Sequence, residues 1–169
     1  ESDNLTAELL VKELGVRFGG IGTTTAGVEV LRTALADGGF PAAQLAAVDG
    51  SGLDRSDRAS CGLLMAVLEA AGPAGPVAVG LPVAARTGTL AKRYLGQSAA
   101  GRLRAKTGSL DGVVALSGFV DPLTSEPPLT FALLANDLTR DAAGRVLQDR
   151  LAAILARYPE APDPATLAP

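Results

Sequence analysis

Lys106-Thr107-Gly108-Ser109 puts an ammonium, two hydroxyls and a residue without a side chain at consecutive positions. That combination can make a carboxylate site. The lysine supplies Coulomb attraction and Thr107 a hydrogen bond. Gly108 lets a substrate backbone lie against the strand edge. The tripeptide also suits a solvated strand end, and Arg86-Thr87-Gly88-Thr89 is a near copy in the same chain. Far upstream, Ser2-Asp3-Asn4 opens a predicted helix. These residue types favour a helix N-cap. They also offer a hydroxyl able to relay a proton and an amide able to hold a peptide carbonyl.

Other chemistries are excluded by what the chain lacks. There is no histidine, so no Ser-His-Asp triad can form within it. Cys61 is the single cysteine, which leaves no internal disulfide and no ordinary zinc ligand set. Its place in the apolar run 59–68 reads as a buried small hydrophobe. No metal or cofactor is expected. The net charge of −3 offers no basic face to track phosphates, so nucleic acid is not an expected partner. With 47% hydrophobic residues over 169 positions, the chain can bury one good core.

The elements that must position these residues follow from period and punctuation. Leu5, Leu9, Leu10 and Leu14 recur at helical spacing, which predicts a helix over 4–14 capped by Asn4 and stopped by Gly15. A second helix is predicted over 24–36, with Val28, Leu31 and Leu35 apolar, ended by Gly38-Gly39. A short strand at 45–48 precedes the turn Asp49-Gly50-Ser51-Gly52. A third helix over 57–71 closes at Gly72-Pro73, and 74–100 reads as loop-rich. Then the period changes. Residues 102–106 alternate into Thr107-Gly108, and strands are predicted over 113–120 and 129–135. The connection 121–128 holds three prolines and suits a hairpin loop. A last amphipathic helix over 141–157 carries Val146, Leu147, Leu151, Ile154 and Leu155. The fold class is therefore α+β, helices packed on an antiparallel sheet. One domain is expected over 1–158, with an exposed Pro-rich tail over 159–169.

Ser-x-Asn at a helix start followed, well downstream, by Lys-Thr-Gly-Ser on a strand resembles the serine penicillin-recognising enzymes. Class A β-lactamases share this pair. Further segments separate the members. Val48-Asp49-Gly50-Ser51-Gly52-Leu53, Leu81-Pro82-Val83-Ala84 with Thr87-Gly88-Thr89-Leu90, and the run Lys106–Val113 with Leu116-Ser117-Gly118-Phe119-Val120 are similar to one family. It comprises the D-alanyl-D-alanine carboxypeptidases of the penicillin-binding protein 4 type, the S13 peptidases. The resemblance spans Ser2 to the last helix and implies part of a transpeptidase/β-lactamase-like domain.

The resemblance implies roles by position. Ser2 would pass a proton towards the leaving amine. Asn4 would bind the substrate amide and help position the lysine of a Ser-x-x-Lys motif. Lys106 and Thr107 would hold the terminal carboxylate of a peptidoglycan stem peptide ending in D-Ala-D-Ala, or that of an inhibitory β-lactam. Ser109 would give an oxyanion-hole N–H and a further hydroxyl. Leu110 would line the pocket for the D-alanine methyl. The reaction would be acylation of serine, loss of D-alanine and attack by water. Such a substrate lies outside the cytoplasm, so the protein is expected to be exported to the periplasm or cell envelope.

Two departures qualify the resemblance. Asp54-Arg55-Ser56-Asp57 follows Leu53 where the family usually has Ser then Asn. More seriously, no Ser-x-x-Lys is present: Leu9, Thr89 and Leu103 stand three before Lys12, Lys92 and Lys106. Thr89-Leu90-Ala91-Lys92 is the nearest imitation, with the wrong nucleophile. The chain is therefore read as the C-terminal part of the domain, its nucleophile on an upstream segment or separate chain. By itself it is expected to be inactive. Two other readings stand beside this one. A class A-like β-lactamase needs a loop glutamate between the motifs, but Glu29 and Glu69, both in predicted helix, are the only ones between Leu14 and Lys106. A non-catalytic module could instead bind D-alanyl peptides or a partner protein.

Overall fold

The computed structural model describes residues 2–160. Beyond Glu160 the expected Pro-rich tail lies outside the described residues, as does Glu1. The chain forms two compact units, 2–67 and 68 onward, with the boundary inside one helix.

In the first unit, α1 (Asn4–Gly19) and α2 (Thr24–Asp37) pack as a helical hairpin. Asp3 caps α1, its carboxylate accepting from the Thr6 N–H (3.0 Å) and the Thr6 hydroxyl (2.9 Å). The cap is thus one residue earlier than the expected Asn4, which becomes the first helical residue. The helix also runs through Gly15 and closes at Gly20, in left-handed backbone at φ 76°. Gly15 serves close approach instead of a stop: a Cβ there would meet the Ile21 carbonyl oxygen at 2.6 Å. A Cβ on Gly27 of α2 would lie 1.8 Å from the Val11 carbonyl oxygen. The helices therefore touch through Val11, Gly15 and Gly27, all buried. The expected leucine face does not make this contact. Leu5, Leu9 and Leu10 are 70%, 55% and 61% exposed. Val28, Leu31 and Leu35 of α2 are half-buried.

Only Leu45–Ala46 of the expected first strand pairs (β1), and its partner is Arg58–Ala59 (β2). That pairing takes residues assigned to the third helix. Consequently α3 spans Cys61–Ala71, with the Ser60 hydroxyl accepting from the Leu63 N–H at 3.0 Å. Cys61 is half-buried, less enclosed than expected.

In the second unit, a short α4 (Pro76–Gly80) precedes a loop, and β3 (Leu103–Leu110), β4 (Val113–Val120) and β5 (Leu129–Ala135) form an antiparallel sheet in that order. The β4 and β5 bounds agree with the sequence expectation. Residues facing each other across the ladder share a side, so Leu103 lies opposite Val120 and Thr107 opposite Leu116. One side joins Leu103, Ala105, Leu116, Val120 and Phe131 to Leu90 and to Ala152 and Ala156 of α5 (Asp141–Ala156). The other buries Phe119 with Leu68, Ala78 and Leu81.

The inner face of α5 is only partly the apolar set read from the sequence: Leu151 and Leu155 pack half-buried against the core. Val146 and Leu147 are 51% and 45% exposed, whereas Gly144, Gln148, Ala152 and Ala156 are buried at four-residue spacing. Small residues let the helix lie close to the sheet. Gln148 is tolerated there because both ends of its amide are used. Its Nε2 donates to the Ala115 carbonyl (3.0 Å), and its Oε1 accepts from Arg93 (2.9 Å). Arg93 also donates to Asp149 (2.6 Å) and Tyr94 (3.1 Å). Burial, with Asp149 adding to it against the opposing pull of Arg93, pushes the Tyr94 phenol up to about 12. Replacing Gln148 by Leu leaves a strand carbonyl and a guanidinium N–H without this partner. Urea denaturation is expected to show a loss of about 1–3 kcal/mol; an unchanged midpoint would mean that water replaces the amide at no cost.

Candidate active site

Ser2-Asp3-Asn4 belongs to the first unit. All three residues are exposed, with Ser2 just outside α1 and Asn4 in its first turn. The Thr6 backbone N–H, helped by the Thr6 hydroxyl, holds the Asp3 carboxyl below the usual range. Of the three side chains, Asp3 is thus the one committed to the cap.

The same helix anchors the Asp49–Leu53 segment. Glu8 accepts from the Gly50 and Ser51 N–H groups, each at 3.0 Å. Asp49 accepts from the N–H groups of Gly52 (2.6 Å), Leu53 (3.1 Å) and Asp54 (2.8 Å). Burial opposes ionisation of Asp49, but these donors outweigh it and lower its pKa. Burial and the neighbouring Asp49 raise that of Asp57, whose Oδ1 accepts from the Val48 N–H at 2.8 Å. Asp54 takes the N–H and hydroxyl of Ser56. The side chains of Asp54, Ser56 and Asp57, where the sequence departs from the family pattern, are therefore occupied in shaping this loop.

Lys106, Thr107, Gly108, Ser109 and Leu110 are the last five residues of β3, in the second unit. The sheet order leaves β3 at an edge. Its first half is covered there: the Ala84 N–H donates to the Leu103 carbonyl (2.9 Å), and the Ala105 N–H to the Pro82 carbonyl (3.0 Å). Odd-numbered residues of β3 therefore turn their backbone groups away from β4, and the alternation carries on to Thr107 and Ser109. Lys106 bends to that edge, its Nζ donating to the Thr107 carbonyl at 2.6 Å. Desolvation there lowers its pKa. A Cβ on Gly108 would lie 3.0 Å from the Ala115 Cβ across the ladder, so packing as well as access favours glycine. Ser109 is exposed and Leu110 half-buried.

Arg86-Thr87-Gly88, the near copy, lies on no strand. It leads into a 3-10 turn, Gly88–Leu90, and the Thr87 hydroxyl accepts from the Val83 N–H at 2.8 Å. The residue that sequence reasoning did not attach to the site is Thr89, whose hydroxyl lies 3.0 Å from that of Thr107. Its only sequence signal was a poor imitation of a nucleophile motif. Among the described residues, no group of His, Cys, Asp or Glu is placed to hold a metal ion.

The lowered Lys106 pKa sets a sign. Between that pKa and the ordinary 10.5, the unfolded chain binds a proton that the folded chain has lost. Stability should then rise with pH across this window. NMR titration of the lysine side chains is expected to show Lys106 deprotonating below 10.5, and Lys106→Gln should remove its share of the alkaline rise. Titration at or above that value would contradict the desolvated geometry.

Comparison with known proteins adds to these observations. The model of the D-Ala-D-Ala carboxypeptidase 3 (S13) family matches residues 1–158. A carboxypeptidase DacB of Mycolicibacterium smegmatis is 39% identical over 164 residues, covering 92% of this chain and 35% of the relative. A D-alanyl-D-alanine carboxypeptidase of Actinomadura is 39% identical over 166 residues, 93% of this chain and 30% of the relative. The chain thus spans about a third of the length of these relatives. Among solved structures, penicillin binding protein 4 (dacB) from Haemophilus influenzae, complexed with a β-lactam, superposes with a TM-score of 0.84. That match is 23% identical and covers 94% of this chain and 39% of the other. The fold is thus that of part of a penicillin-binding protein.

Proposed function

The chain belongs to the D-Ala-D-Ala carboxypeptidase 3 (S13) family, and on that membership we propose that it carries the carboxylate-binding part of a serine D-alanyl-D-alanine carboxypeptidase or endopeptidase. The substrate is a peptidoglycan stem peptide, and β-lactams are inhibitors that mimic it. The observation carrying this reading is the half-open edge of β3. Lys106, Thr107 and Ser109 gather there, beyond the point where Pro82–Ala84 covers the strand.

In this reading a serine of a Ser-x-x-Lys segment outside this chain attacks the penultimate D-alanine carbonyl. Its Oγ forms the acyl bond as the peptide C–N bond breaks. Ser2 passes a proton to the leaving amine, and Asn4 holds the substrate amide and the motif lysine. Lys106 and Thr107 bind the terminal carboxylate, and the Ser109 N–H shares in the oxyanion hole. Gly108 keeps the strand edge clear for the peptide, and Leu110 lines the methyl pocket. Water then releases the acyl group. Peptidoglycan places the protein outside the cytoplasm.

The β-lactamase reading is less well supported. Glu29 lies in α2, next to Arg32, and Glu69 in α3, so neither sits on a loop that could activate a deacylating water. A non-catalytic peptide-binding module remains the competitor, and one experiment separates it. This chain alone is expected to form no covalent adduct with a fluorescent penicillin after denaturation, and labelling should return when a Ser-x-x-Lys segment is supplied. An adduct on the isolated chain refutes the proposed location of the nucleophile. Failure of any such segment to restore labelling favours the binding module.

In the acylation-competent enzyme, Lys106→Ala should slow acylation by β-lactams and by D-Ala-D-Ala peptides together. A charge-assisted hydrogen bond is worth about 1.5–3 kcal/mol, so each rate constant should fall roughly ten- to a hundredfold. Arg86→Ala is the control. Should Arg86→Ala slow acylation and Lys106→Ala not, the carboxylate belongs to the other tripeptide.

A further inference from the structure

Thr89 and Thr107 are eighteen positions apart, yet their hydroxyl oxygens lie 3.0 Å from each other. The loop that brings Thr89 there is tightly held. Leu90, its neighbour, is fully buried in the core of the unit. The Ala85 N–H donates to both the Leu90 and Arg93 carbonyls at 3.0 Å, while Ala85 itself sits at φ 60°, a left-handed backbone that only firm surroundings sustain. The Arg86 and Thr87 N–H groups both donate to the Val83 carbonyl at 3.0 Å. Val83 bridges to Arg104, two residues before Lys106. Thr89 is therefore set against Thr107 by the same strand that carries the lysine.

A hydroxyl has one proton and two lone pairs, whereas a carboxylate only accepts. When Thr107 gives its proton to a bound carboxylate, the bond between the two threonines needs its proton from Thr89. We propose that Thr89 is a positioning residue of the carboxylate site, donating to Thr107 and so fixing the Thr107 hydroxyl as a donor to the ligand. Each bond in such a chain polarises the next. The inference rests on the carboxylate reading of Lys106 and Thr107 and deepens it.

The test compares acylation of the competent enzyme by a penicillin and by its methyl ester, which keeps the ring but has no carboxylate. Thr89→Val should slow acylation by the free acid about two- to tenfold more than by the ester, the range of one neutral hydrogen bond. Thr89→Ser should restore the wild-type acid-to-ester ratio. In a Thr107→Val background, Thr89→Val should add nothing further. Thermal unfolding monitors each variant, with Thr89→Ala taking the place of Val if Val fails to fold. An equal loss on acid and ester, or none, while Thr107→Val still discriminates between them, overturns the role of Thr89 alone. If Thr107→Val does not discriminate either, the carboxylate reading falls and the role of Thr89 falls with it.

Discussion

The constraint on which the second unit turns is the alternation of backbone groups along an edge strand. In β3 the even-numbered residues face β4 and the odd ones face outward. Pro82–Ala84 satisfies the outward groups of Leu103 and Ala105 and then departs. Two residues further on, the same alternation directs Thr107 and Ser109 to the edge, with no special loop needed to present them. The core enforces the register. Leu103 and Ala105 are fully buried on one side, and a slip by one residue would send them to the opposite side and turn Lys106 inward. Register, burial and edge chemistry are thus one decision.

α5 supports that decision from one side of the sheet. It presents glycine, alanines and a glutamine, so the helix comes near enough for the Gln148 amide to reach a backbone carbonyl of β4. That carbonyl belongs to Ala115, which stands opposite Gly108 in the ladder. The polar chain from Arg93 through Gln148 therefore ends one strand away from Lys106-Thr107-Gly108. A leucine in place of Gln148 would leave that carbonyl to other partners. In the first unit, small residues at the crossing of α1 and α2 play the same part, and Glu8 uses the resulting geometry to hold the Gly50-Ser51 turn.

These features mark the limit of what could be read from the sequence. The apolar runs of β4 and β5 were legible because compact apolar stretches of strand length, bounded by turn signals, have few other uses. The strand position of Lys106-Thr107-Gly108 was legible because the alternation over 102–106 leads straight into it. The inner face of α1 was not, and that of α5 only at Leu151 and Leu155. Periodicity finds the largest apolar residues, and here the contacts are made by Gly15, Gly27, Gly144 and Ala152, whose value is their small size. Asp3 and Asn4 are both good cap residues, and the contact with Thr6 decides between them in favour of Asp3. Thr89 was hidden because its partner is eighteen residues away.

An open strand edge normally invites pairing with another chain, and proteins blunt it with charge, proline or a covering segment. β3 is treated in all three ways: Pro82 with its neighbours covers the first half, and Lys106 guards the second. The lysine is an economical guard on the proposed reading. Its ammonium repels a casual apolar strand, which could not solvate it, while a peptide ending in a carboxylate would neutralise it. The feature that keeps the edge from indiscriminate pairing is then also the one that admits the substrate. On that reading a terminal carboxylate brings to this position a negative charge that an uncharged internal stretch of peptide lacks.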